Sequence, residues 1–287
     1  MRRVSLFSLI SLAFLLVFYG YHSVRLTDKN FHLIFCNIGQ GDGIYLRTPE
    51  GIDIIVDGGP EENGMVDCLS RHLPIWDREI DVVYMTHPDA DHLTGLIGIF
   101  RTYNVKYFGT PKVEKNTADY DELMEVLESK NVQVDWLSKG DTIRNKNGFS
   151  METVWPTKEF LASNHDDSND YSLVQKVTYK SFTALLTGDV PSVYLNSVMP
   201  LVGKIDIFKP PHHGSKTGID EFTFQHTTPK FAVISVGKNN KYHHPSPEVL
   251  RLLKSANIPY KDTISGDIEI VTNGEKWWIM KLQPFGI

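Results

Sequence analysis

Cysteine is scarce in this chain: Cys36 and Cys68 are the only two in 287 residues. They form no Cys-x-x-Cys pair, which argues against a thiolate zinc site. In an exported domain they would make one disulfide; from sequence alone they read better as unpaired small residues of the core. Excess positive charge is also missing. The balance of 29 Lys and Arg against 35 Asp and Glu gives a net charge of −6, which argues against a generally basic nucleic-acid-binding surface. A local basic groove, or a metal site that draws phosphates, needs no such excess. There is no internal repeat and no low-complexity linker. Beyond the N-terminus no stretch is long and apolar enough to span a bilayer. What is present is ordinary globular composition, 41% hydrophobic and 22% charged, in a chain long enough to bury a sizeable core.

The N-terminus stands apart. Arg2 and Arg3 precede an apolar run from Val4 to Tyr21, interrupted by Ser5, Ser8, Ser11 and Gly20. This pattern fits a signal sequence or a single membrane anchor. No Ala-x-Ala site follows, so an uncleaved anchor is expected in preference to a cleaved signal and a secreted protein. Arginines stay on the cytoplasmic side, which would put the remaining chain outside the cytoplasmic membrane. Residues 1–30 are read as anchor or signal segment plus a short connector, and 31–287 as one catalytic domain.

From Phe31 onward, short apolar runs are broken by Gly, Pro, Asn and Asp. Strands are expected over 31–36, 43–47, 52–56, 80–85 and 105–108, then over 149–154, 172–179, 182–186, 205–208, 231–235, 267–271 and 277–281. Helices are expected over 65–72, 92–103, 119–129, 193–199, 220–226 and 247–256. Asp119 or Thr117 caps the third, and Ser246-Pro247 reads as an N-cap followed by Pro at the first helical position. Strands early and late, with helices between, suggest two packed sheets with helices outside.

Polar knots at the strand ends carry the chemistry. Thr86-His87-Pro88-Asp89-Ala90-Asp91-His92 places four metal-capable side chains within six residues, straight after an apolar run. Imidazoles and hard anionic oxygens together suit Zn²⁺, Mn²⁺ or Fe²⁺. Two His and two Asp exceed what one open catalytic ion takes from so short a segment, so the pattern points to two metals. Asp189 is a carboxylate at the end of a buried strand, and bridging two cations would compensate it. Lys209-Pro210-Pro211-His212-His213-Gly214-Ser215 presents adjacent histidines that face different ways. One is a candidate ligand and the other a substrate contact or proton donor, with Ser215 and Lys216 placed to hold a phosphate or carboxylate. Tyr242-His243-His244-Pro245 is a second paired-His loop, from which either His could complete the metal set. Asp42 and Asp57 are either outer partners that orient a ligand His or turn residues. Asn169 touches substrate or metal, or makes an Asx-turn.

Taken in order, the segments 37–42, 57–60, 86–92, 169–173, 187–189, 212–215 and 240–245 resemble the metallo-β-lactamase superfamily. Within it they are most similar to the hydrolase domain of ComEC-type DNA-internalisation (competence) proteins. The superfamily's common His-x-His-x-Asp-His stands here with Asp89 in place of the second His. The resemblance implies an α+β fold, a four-layer αββα sandwich with a binuclear site on one edge. By position, His87 and Asp89 would hold one ion, Asp91 and His92 the other, and Asp189 would bridge them. His212 and His244 would complete the two ions, leaving His213 as proton donor and His243 as a substrate contact. Asn37, Thr94 and Gly218 depart from the usual Asp, Gly and small hydroxyl residue, and remove no ligand. Complete ComEC-type proteins carry a multi-helix membrane channel. This chain has at most one spanning segment, so it is expected to pair with a separate channel protein or to be an unrelated secreted hydrolase on the same scaffold.

The implied chemistry is hydrolysis at two divalent ions, with Asp91 or Asp189 taking the nucleophile's proton. Three Asp among the ligands favour Mn²⁺ or Zn²⁺ and phosphodiesters. A phosphodiesterase or nuclease acting on DNA is therefore expected, with Lys209, Lys216 and Lys238 as candidate phosphate contacts. The alternatives are hydrolysis of another ester (a phosphocholine ester, lactone or β-lactam) and a non-catalytic binding module with a vestigial site.

Overall fold

The computed structural model describes residues 6–26, 28–163 and 165–280. Helix α1 (Leu6–Leu26) precedes β1 (Phe31–Phe35), β2 (Gly43–Arg47) and β3 (Asp53–Gly58). Then come α2 (Gly64–His72), β4 (Glu79–Ile80), β5 (Val82–Tyr84), α3 (Ala90–Thr102), β6 (Asn104–Val105), β7 (Phe108–Thr110) and α4 (Ala118–Ser129). The second half runs β8 (Val134–Trp136), β9 (Thr142–Arg144), β10 (Phe149–Trp155), α5 (Lys158–Leu161), β11 (Val174–Tyr179), β12 (Phe182–Leu186), α6 (Ser192–Val202), β13 (Ile207–Phe208) and β14 (Phe231–Ile234). It closes with α7 (Pro247–Ser255), β15 (Tyr260–Asp262), β16 (Ile268–Thr272) and β17 (Trp277–Met280).

Alternation along the strands sorts side chains between cores. Phe31, Leu33, Phe35, Ile54 and Val56 meet Val177, Phe182, Ala184, Phe231 and Val233 between the two sheets. The intervening Ile34 and Ile55 face outward onto α2, α3 and α4, and Ala232 and Ile234 onto α6 and α7. The sheets have strand orders β17-β16-β1-β2-β3-β5-β7-β8 and β15-β14-β13-β12-β11-β10-β9. The layers are thus helices, sheet, sheet, helices. In one sheet β3, β5, β7 and β8 run parallel, and in the other β12 to β15 do. Their carboxyl ends emerge on one edge, where open α/β sheets collect ligands.

Several expectations change. Thr117, not Asp119, caps α4, its hydroxyl accepting from the Tyr120 amide at 3.4 Å. The helix expected over 220–226 does not form. Asp220 accepts from the Phe222 amide at 2.9 Å and from Asn196 Nδ2 at 2.9 Å, a turn chemistry that competes with helical bonding. α1 forms, and its residues 7–17 are exposed. Among the described residues, however, no helix is long and apolar enough to cross a membrane. Arg2 and Arg3 lie outside the described residues, as does Lys281 of the last expected strand.

Cys36 and Cys68 are joined in a disulfide, with Cα atoms 5.9 Å apart, and are not unpaired core thiols. The bond ties the end of β1 to α2. Beside it, Asp267 accepts from the Asn37 amide at 2.8 Å, Arg71 Nε at 2.8 Å and His72 Nε2 at 2.9 Å, clamping α2 to the start of β16. Opening the disulfide frees a sequence separation of 32 residues, worth about 3–4 kcal/mol in a chain-entropy estimate. Cys68→Ser is therefore expected to lower the Tm. A reductant should bring the wild type down to the variant's value and leave the variant unmoved.

Burial opposes the Asp267 anion, but His72, Arg71 and the Asn37 amide outweigh it and hold the carboxyl below its usual range. A folded pKa below the unfolded value of about 4 gives stabilisation that is full above about pH 4 and lost as pH falls further. Asp267→Asn is expected to cost roughly 1–3 kcal/mol at pH 7. Urea titrations should show that gap closing progressively below about pH 4.

Candidate metal centre

Asp57 ends β3 in the left-handed region, φ 62°, fully buried. Its carboxylate accepts from the Thr86 amide and hydroxyl, both at 2.7 Å, and from His92 Nδ1 at 2.8 Å. Having given its proton to Asp57, the Thr86 hydroxyl accepts from His87 Nδ1 at 3.0 Å. Both rings are thereby turned with Nε2 toward the same space. Helix α3, which carries Asp91 and His92, lies hard against this strand end. A Cβ on Gly95 would come 1.9 Å from the Gly58 carbonyl oxygen, so only glycine permits that approach.

The second sheet supplies the other half. Asp189 follows β12, its amide donating to Ser172 Oγ at 3.1 Å. His212 and His213 are both left-handed, φ 51° and 54°, conformations that cost energy and gather at functional sites. The turn points the two imidazoles apart. His213 is buried, Nδ1 donating to the Ser235 carbonyl at 3.1 Å, with Asp42 Oδ1 3.5 Å away. Its Nε2 lies 3.3 Å from both Asp91 Oδ2 and Asp189 Oδ2. His212 stays one-third exposed, with Nε2 3.9 Å from Asp189 Oδ2.

Burial opposes every carboxylate and protonated ring here, and the neighbours decide the outcome. Lys209, then His213 and His92, hold the Asp42 pKa down at about 2. Asp91 and Asp189 are held below the usual carboxylate range by His213 and His92. In return Asp189 leads in holding His92 and His213 well above the ordinary imidazole value. His87 goes the other way: burial, then His92, push it down to about 3, so its Nε2 carries a lone pair.

Asp91, His92, Asp189 and His213 each offer a ligand atom, all within 4.8 Å of one another. Those atoms converge without aligning as hydrogen bonds: His92 Nε2, His213 Nε2 and Asp189 Oδ1 are buried without a hydrogen-bond partner, as are His87 Nε2 and His244 Nδ1. Orphaned buried polar atoms are costly, and a divalent cation satisfies several at once. Two imidazoles and two carboxylates fit such an ion.

The other sequence-derived positions fall as follows. Asp89 Oδ1 is 4.0 Å from His87 Nε2 and is engaged by Lys115 at 2.5 Å and by Ser168. His244 is half-buried at the mouth, its ring 5.8 Å from that of His212; His243, Lys216 and Lys238 are exposed. Ser215 is buried against Thr217, Oγ to Oγ 3.0 Å. Asn169 stands in a short turn, its amide donating to Asp167 at 3.0 Å. Lys209, expected as a surface phosphate contact, is fully buried. Its ammonium binds Asp42, donates to the Gly188 carbonyl at 2.7 Å and lies 3.6 Å from Asp189 Oδ1. Sequence reasoning missed Thr86, Lys115, Ser168 and Ser172; only Thr86, fixed between Met85 and His87, had a local signal.

No family model matches the chain. It is similar to ComE operon protein 3 of Bacillus subtilis, 28% identical over 240 residues, covering 77% of this chain and 30% of that protein. It is similar to Recombination protein 2 of Haemophilus influenzae, 25% identical over 273 residues, covering 92% and 31%. The chain therefore spans about three tenths of the length of these relatives. Among solved structures, the metallo-β-lactamase fold protein YhfI from Bacillus subtilis superposes with a TM-score of 0.53 at 11% identity, over 82% of this chain and 98% of that one. The sandwich, the order of the polar knots along it and these relatives support a ComEC-like protein with the metallo-β-lactamase fold.

Proposed function

We propose that this protein is a metal-dependent phosphodiesterase that cleaves DNA outside the cytoplasmic membrane. The convergence of Asp91, His92, Asp189 and His213 on one point carries the reading. The relative named for recombination directs it to DNA. The disulfide suits an oxidising compartment. Together with Arg2, Arg3 and the exposed apolar run of α1, it supports a domain held at the outer face of the membrane.

Zn²⁺ or Mn²⁺ at this donor set would supply charge neutralisation and an acidified water. The chain's own residues do the rest. Asp57 and Asp42 stand behind His92 and His213 and fix each Nε2 toward the reacting side. Asp91, about one-third exposed, is the carboxylate placed to take the proton of the attacking water. At the mouth, His244 has its pKa pushed down to about 4 by burial, then by His212 and His213, and accepts rather than donates near neutrality. His212, beside it and reachable from solvent, hands the proton to the leaving oxygen. That role was expected of His213, whose two nitrogens both face inward partners.

Full-length protein given labelled single- and double-stranded DNA with Mn²⁺ should cleave it, and Asp189→Ala should abolish cleavage and reduce bound metal. Full turnover by that variant would remove Asp189 from the site. Bound metal with no cleavage of DNA or of bis(p-nitrophenyl) phosphate would defeat the phosphodiesterase reading in favour of a carboxyl-ester hydrolase. Asp57→Asn, which leaves every proposed ligand in place but loosens His92, is expected to weaken metal affinity by about 10–100-fold, as read by competition with a chromogenic chelator.

A further inference from the structure

Asp89 belongs to the ligand-rich segment, yet a lysine already holds its carboxylate. Lys115, from the loop between β7 and α4, brings its ammonium 2.5 Å from Asp89 Oδ1. Ser168 donates to the same oxygen, and Lys115 also donates to Ser168 Oγ at 3.2 Å. On its other side that oxygen is 4.0 Å from His87 Nε2, a buried nitrogen with no hydrogen-bond partner. A separation of 4.0 Å is within reach of one cation making two bonds of about 2 Å each. The ammonium therefore occupies the oxygen that a cation shared by His87 and Asp89 would use. Asp91, His92, Asp189 and His213 form a group without Asp89. Lys115 has somewhere to go: with Asp89, His165, Ser168 and Tyr171 it lines a cavity of about 530 Å³, and its side chain is one-third exposed.

We propose that Lys115 is a built-in monovalent competitor for the second cation. The centre loads one divalent ion tightly at Asp91, His92, Asp189 and His213. The position between His87 and Asp89 fills weakly while Lys115 holds Asp89, since the ammonium already neutralises that oxygen and like charges at this spacing repel. This rests on the metal reading above but not on the substrate. The chain thereby supplies its own +1 charge where the resemblance implies a second metal, so the occupancy of the second position is graded and not fixed.

The test reads binding, not turnover. Metal-stripped full-length protein is titrated with Mn²⁺, following heat and the free-ion electron paramagnetic resonance signal. The wild type should bind one equivalent tightly and a second at least about tenfold more weakly. Lys115→Met should tighten the second step by at least about tenfold and leave the first within about twofold. Lys112→Met, which removes a charge from the same loop, should leave both steps unchanged. Thermal melts of the variants should match the wild type, as expected for a partly exposed ion pair. Two equally tight sites in the wild type, an unchanged second step in Lys115→Met, or an equal gain in Lys112→Met would overturn the proposal alone. Absence of any Mn²⁺ binding would overturn it together with the metal reading.

Discussion

Buried negative charge is the constraint to which this edge of the sandwich is built. Asp42, Asp57 and Asp189 are at most 2% exposed, a depth at which an uncompensated carboxylate is not tolerated. The surrounding side chains answer that demand one by one. His92 lies between Asp57 and Asp189, His213 among Asp42, Asp91 and Asp189, and Lys209 on Asp42. Protons on two histidines and one ammonium balance the acids. The field that holds those protons is the field that would hold a divalent cation in their place, so the folded chain is poised for exchange of one kind of positive charge for another.

Backbone geometry serves the same end. Of the eight non-glycine residues with positive φ among those described, Asp57, His212, His213 and His243 belong to the site loops. Each sets the direction of a polar side chain, and rigid packing such as that of Gly95 on Gly58 holds the loops in place once they are set.

Much of this was legible in the sequence. Period-two apolar runs gave most strands, and the knots that end them contain the carboxylates and histidines that the fold brings together. What could not be read depends on direction or distance. Which of His212 and His213 turns inward is decided by two consecutive left-handed residues, which leave no mark in composition. Lys209 looks like a surface cation because its partner Asp42 is remote in the chain; only the fold brings the end of β13 to the turn before β2. The Cys36–Cys68 bond depends in the same way on α2 folding back over the end of β1. Strands β8 and β9 escaped because their few residues are half-exposed and alternate too briefly to register. The segment 220–226 misled because Asp220 spends its carboxylate on a turn.

The pairing of β1 with β16 has a consequence for how the chain comes to exist. Phe31 is registered with Thr272, so the first strand of the domain waits for nearly the last one. Until it arrives, β1 is an open edge carrying Phe31, Leu33 and Phe35, a template for unwanted pairing with other chains. The candidate ligands are split likewise, with Asp91 and His92 early and Asp189 and His213 late, so an emerging chain holds only half of the candidate centre. Such non-local closure makes folding slow. The candidate centre is assembled only when β1 and β16 have met.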